Sequence, residues 1–329
     1  MHIFKDTHFD FLRWRWHAII LSWAIILAGA VVIWTKGIQK GVEFAGGTVV
    51  IEKFEQPVTD QQVRAALEMT FGQDLVINSW GDPAAQQLMI RVPEVGAEAG
   101  ASLSTTAEKI ETALRASNLG NFERLSTEIV GPAVGRELTN KGIWATVLSM
   151  LGILGYISFR FQLSFAVGAV VATLHDLLVT FAFLAFFGYD LTLNVIAALL
   201  TITGFSTNDT IVIFDRVREN MRGMRRDNLG TVINVAINQT LGRTIITSGT
   251  ALLSSLALFF FGGDVLHGFA FTMVVGIITG TYSTVFIAAA IVSFWRQPTR
   301  AATRAPAAAT GAPQQPTRRS KPQRKARAS

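Results

Sequence analysis

Cysteine is absent from the 329 residues, which excludes disulfides, thiolate nucleophiles and cysteine metal sites. Charge is scarce too. Only 16% of residues are Asp, Glu, Lys or Arg, while half are hydrophobic, and the mean hydropathy is +0.38. That balance is foreign to an ordinary soluble domain and points to a polytopic membrane protein. The five histidines, at 2, 8, 17, 175 and 267, show no metal-ligand spacing. No P-loop and no G-x-S-x-G occurs, so no enzyme activity, bound cofactor or metal is expected. Acidic residues stop at Asp264, which leaves a purely basic end to the chain.

What the chain does contain is long apolar runs. Runs of about 20 residues fall near 19–34, 143–159, 163–187, 191–214, 245–261 and 269–295. Arg13 and Arg15 precede the first, which is too long for a signal peptide and has no small-x-small cleavage site after it, so it reads as a retained anchor. Arg160 lies between the second and third runs, and Arg216, Arg218, Arg222, Arg225 and Arg226 follow the fourth. The alternate loops, 188–190 and 262–267, carry no Lys or Arg. The positive-inside rule therefore places both termini in the cytoplasm of a multi-pass membrane protein. Four parts result: a cytoplasmic N-terminus and first span (1–35), an extracytoplasmic domain (36–141), spans two to six (142–295) and a basic cytoplasmic tail (296–329). The tail composition predicts disorder; it reads first as a solvated tail, with attraction to anionic membrane lipids or to a negatively charged cytoplasmic partner as the alternative.

The extracytoplasmic part reads as α+β. GTVVIEKF alternates like a strand, and Thr59 and Asp60 cap an amphipathic helix through QQVRAALEMTF. DLVINSW and QQLMIRV flank a turn at 81–85, SLSTTAEKIETALRAS has a helical period, and NFERLSTEIV closes as a strand. The order β-α-β-β-α-β is the split βαβ, ferredoxin-like motif. Residues 217–242 are expected to form a cytoplasmic loop with a short surface helix, on the spacing of Val232, Val235, Ala236 and Leu241.

Asp209 is the acid inside the fourth run, and an intramembrane carboxylate marks an ion path, a proton relay or a buried pair. Ser206, Asp209, Thr210 and Ile213 share a helical face, and Arg243 and Thr247 share a stripe at the start of the fifth. A short loop makes the two runs antiparallel neighbours, so Asp209 and Arg243 are expected to face each other. Burial then disfavours the charged carboxylate and the guanidinium favours it. A carboxylate balanced between them loads and releases a proton as the arginine moves; the alternative is a static salt bridge. His175 and Asp176, midway along the third run, either extend the proton wire or form a structural polar cluster. Gly276 and Gly280, with Thr272 and Thr279, form a close-packing GxxxG stripe.

GVEFAGGT (41–48) resembles the G-[IL]-D-F-x-G-G element of the SecD/SecF family, within the resistance-nodulation-division superfamily. EIVGPAVGREL (128–138), HD (175–176), GFSTNDTIVIFDRVREN (204–220), QTLGRTIITSGT (239–250) and FGGDVLHGF (261–269) follow in that family's order. The resemblance covers about 10–295, and six spans match the shorter of the family's two branches. It implies a Sec translocon accessory subunit that pairs with a SecD-like chain and acts with the SecYEG channel and the SecA ATPase on translocating unfolded polypeptide, using the proton-motive force. It carries the proton-path acid onto Asp209 and its arginine and threonine onto Arg243 and Thr247. Glu43 stands for the usual Asp, Gly242 for Ser or His, and Ser283-Thr284 for Ser-Ser; none is expected to touch the proton path. The competing readings are half of a small-molecule or lipid exporter, and a non-transporting translocon scaffold.

Overall fold

The computed structural model describes residues 7–72, 75–81, 85–92, 103–161 and 163–295. The basic tail and most of the expected turn at 81–85 lie outside the described residues.

Helix α1 (Arg15–Lys36) follows a 3₁₀ turn, and a one-turn helix α2 (Val42–Ala45) leads into the sheet. Strands β1 (Gly47–Phe54), β2 (Val76–Trp80), β3 (Gln87–Val92) and β4 (Phe122–Val130) alternate with α3 (Asp60–Phe71) and α4 (Leu103–Ala116). The sheet is antiparallel in the order β2-β3-β1-β4, the arrangement expected of a ferredoxin-like unit. Thr59 starts α3 with a capping box, its hydroxyl accepting from Gln62 N while the Gln62 side chain accepts from Thr59 N. Val50 and Phe54 of β1 pack with Leu88, Ile90, Val63, Leu67, Ile110 and Leu114 beneath the two helices.

One polar group shares that layer. Glu52 alternates with Val50 and Phe54, is 0% exposed, and neither carboxyl oxygen has a hydrogen-bond partner. Burial, and then Glu111, push its pKa up to about 7, against the pull of Arg124 and Arg115.

The helical part comprises α5 (Pro132–Arg160), α6 (Leu163–Phe187), α7 (Leu193–Gly223), α8 (Leu229–Phe261) and α9 (Asp264–Ser283). A π-helical turn, Thr284–Ala288, joins α9 to α10 (Ala289–Trp295). With α1 these make six helices long and apolar enough to cross a membrane. Half of the apolar window of α6 and of α7, and 67% of that through α9 and α10, is buried, against 17%, 6% and 17% for α1, α5 and α8. The third, fourth and sixth spans are therefore the centre of the bundle.

Two boundaries differ from expectation. The second span's helix starts at Pro132, a favourable first helical position, eleven residues before the apolar run. The expected loop with its surface helix is instead continuous helix: only 224–228 separate α7 from α8. Val232, Ile233, Ala236 and Ile237 are buried with Phe214, Val217 and Leu12, so one apolar stripe continues past the membrane run. Gly242 does not break it, and a Cβ there would meet nothing within 4 Å.

Candidate functional site

The polar groups inside the spans converge where α6, α7, α8 and α9 meet. Asp176 of α6 is 1% exposed. Its Oδ2 accepts from Ser206 of α7 at 2.6 Å and from Ser283 of α9 at 2.8 Å. Its Oδ1 lies 3.0 Å from His175 Nδ1. The other imidazole nitrogen, Nε2, is buried without a partner, and the ring sits beside Tyr282, whose hydroxyl reaches Ala18 O and Ser22 on α1. Asp176 thus draws donors from two other helices onto one carboxyl.

One helical turn along α7 from Ser206 stands Asp209, 5% exposed. Its Oδ1 accepts from Thr244 of α8 at 2.8 Å, and its Oδ2 has no partner. Buried carboxyl oxygens are ordinarily satisfied, so Asp209 Oδ2, like His175 Nε2, is an exception within this cluster. Thr210 and Thr284 are 3.1 Å apart, which ties α7 to the start of the π turn, a local geometry found often at functional sites.

Close helix approach makes these contacts possible. A Cβ at Gly276 would lie 2.1 Å from Ile202 Cδ1, and one at Gly280 3.1 Å from Ser206 Cβ. The GxxxG stripe therefore seats α9 on α7 and delivers Ser283 to Asp176.

Ser206, Asp209 and Thr210 lie buried along α7, and Asp176, with His175 beside it, meets them at Ser206. Arg243 and Thr247 do not join them. Both are exposed on α8, and Thr247 donates back to Arg243 O at 2.9 Å. The anticipated Asp209–Arg243 pair is replaced by Asp209–Thr244. A step of one residue turns a helix by about 100°, and it is Thr244 whose direction meets α7. Ser283 and Thr284, not among the expected site residues, are members of this cluster. Their signal was the pair of hydroxyls one turn after Gly280, on the face that GxxxG had already marked as packed.

Fold and site together define a polytopic membrane protein with two acids enclosed by its central helices. Residues 109–298 match the model of the protein export membrane protein SecD/SecF, C-terminal, and residues 31–58 that of the SecD/SecF GG motif. The chain is 38% identical to the protein translocase subunit SecF of Desulfurispirillum indicum, over 88% of this chain and 92% of that one. It is 42% identical to the SecF of Magnetococcus marinus, over 89% and 94%. A crystal structure of SecDF, a translocon-associated membrane protein from Thermus thermophilus, superposes with a TM-score of 0.77 at 34% identity. That match covers 88% of this chain, which spans only 39% of the solved one. The chain belongs to the SecD/SecF family.

Proposed function

We propose that this chain is the SecF-like subunit of a Sec accessory complex. It works beside a SecD-like chain, with SecYEG and SecA, to promote translocation of unfolded polypeptide using the proton-motive force. Asp209 takes up and releases the proton. The observation that carries this reading is the buried Asp209 carboxyl, held by one hydroxyl and open on its second oxygen.

The SecD-like partner is supported by the length match, since this chain corresponds to 39% of the solved SecDF chain. It is supported also by the exposed face of α8. A guanidinium facing hydrocarbon is costly, and a partner's polar groups would satisfy Arg243. In this reading the sheet domain lies outside the cytoplasm and both termini inside. The scaffold reading draws on Asp176, whose carboxyl already has donors on both oxygens and has the character of a fixed helix clamp.

The test is precursor accumulation in cells depleted of the native subunit and supplied with wild type or Asp209→Asn. Accumulation with Asn at equal abundance of subunit and partner is expected. Normal export at equal abundance would leave the scaffold as the better account.

A further inference from the structure

Arg91 lies on β3, yet its guanidinium serves groups outside the sheet domain. Nη1 donates to Lys40 O at 2.7 Å, in the linker between α1 and α2, and Nη2 pairs with Asp190, between α6 and α7. The linker and that turn are themselves zipped together. Gly41 N donates to Leu191 O at 2.7 Å, Leu191 N donates to Gln39 O at 2.8 Å, and Leu193 N donates to Glu43 Oε1 at 3.4 Å. A Cβ at Gly41 would lie 2.3 Å from Glu43 Oε2, the end of an arm that can swing, and 3.0 Å from the backbone Leu191 O, so this approach is tight for any residue but glycine.

The turn holding Asp190 is where α6, bearing Asp176, hands over to α7, bearing Ser206 and Asp209. A displacement of these helices that reaches the turn would move Asp190, with which Arg91 of the sheet domain is paired. Release does not strand the buried cation. Val49 of β1 stands opposite both Arg91 of β3 and Glu128 of β4, so Glu128 lies across one strand on the same face. Burial and Glu43 push the Glu128 carboxyl up while Arg91 pulls it down, which places the two within electrostatic reach. Arg91 Nε has no partner in the present arrangement and is free to serve a second carboxylate. Gly46 alone separates α2 from β1, which opens at Gly47; both have positive φ, 74° and 121°, conformations that glycine adopts without strain.

We propose that Arg91 and Asp190 form a releasable clasp between the sheet domain and the α6–α7 turn, and that its opening is a step of the transport cycle. The proposal rests on the export reading above. A clasp that must open differs from a strut in one respect: locking it stops the work.

The absence of native cysteine makes the lock clean. The full chain, with its SecD-like partner, would carry Arg91→Cys and Asp190→Cys, joined by a short methanethiosulfonate cross-linker that reductant removes. Precursor transport into membrane vesicles is expected to be lost on cross-linking and restored by reductant, with either single cysteine unaffected by the reagent. Linked protein that transports as well as unlinked protein overturns the clasp. Failure of the export reading would show separately, as no transport dependence on the unmodified chain. A second measurement needs no transport: Asp190→Asn should speed amide exchange at Gly41 and Leu191 about tenfold, the loss of one charge-assisted bond. Unchanged exchange there would also overturn it.

Discussion

Thr244 donates to Asp209 at 2.8 Å, while its chain neighbour Arg243 stands on the exposed side of the same helix. The acid of α7 is therefore held within this chain by a neutral hydroxyl, and the charge expected to hold it is presented outward.

The two α8 threonines should accordingly behave differently. Thr244→Val removes the donor on Asp209 and is expected to cost about 1–3 kcal/mol, with a fall in export, whereas Thr244→Ser keeps both. The Thr247 hydroxyl bonds only backbone of its own helix, so Thr247→Val should change stability by no more than about 0.5 kcal/mol. Thermal unfolding in detergent reads both. Equal losses would show that the Thr244–Asp209 bond carries no weight.

Ser206 and Ser283 share one acceptor oxygen of Asp176. Each Ser→Ala change should cost about 1–2 kcal/mol. The double variant should depart from the sum by at least roughly 0.5 kcal/mol, since the two donors compensate for one another. A double-mutant cycle on thermal stability is the measurement, and strict additivity would argue that the hydroxyls act on different groups.

Along the GxxxG stripe the cost should follow the room available. Gly276→Ala drives a methyl against Ile202 Cδ1 at 2.1 Å and should lose about 1–3 kcal/mol. Gly280→Ala meets Ser206 Cβ at 3.1 Å and should lose less. Ile202→Val, by clearing the Cδ1 atom, should recover part of the first loss and none of the second. The reverse ranking would mean that α9 and α7 pack on another face.

Glu52 makes the sheet domain weaker as pH rises. Its folded pKa is raised from 4.5 to about 7, so between those values the folded state holds the proton more tightly than the unfolded state. The Glu52 contribution is fully present below 4.5 and falls by roughly 1–3 kcal/mol by the time pH passes 7, with little change beyond. Glu52→Gln should flatten that profile. Amide exchange of β1 and α4, corrected for intrinsic rates, checks it, and a wild-type profile that is flat or rises with pH would contradict the assignment.

Much of this architecture was legible before any coordinates. The capping box at Thr59, the alternation of GTVVIEKF and the six apolar runs are local signals, and local signals act through neighbours three or four residues away. The fusion of the 217–242 region into α7 and α8 was not legible. The arginines of that region read as a segment beyond the membrane run, but whether its Val232, Ile233 and Ala236 cover a loop or extend a span depends on Phe214 and Leu12 being there to receive them. Glu52 was equally silent: an acid within an alternating strand ordinarily faces water, and only the packed layer of α3 and α4 shows that this one does not.

The sequence by itself determined the membrane class, the number of spans, the order of elements in the sheet domain and the acids that enter the bundle. Hydropathy, periodicity and chain order are properties of the linear chain, and they suffice for these. Tertiary structure alone decided which side chain meets each acid. One residue along α8 separates the hydroxyl on Asp209 from the guanidinium that looks outward, and a rotation of about 100° per residue makes that choice a matter of how α8 is turned against α7.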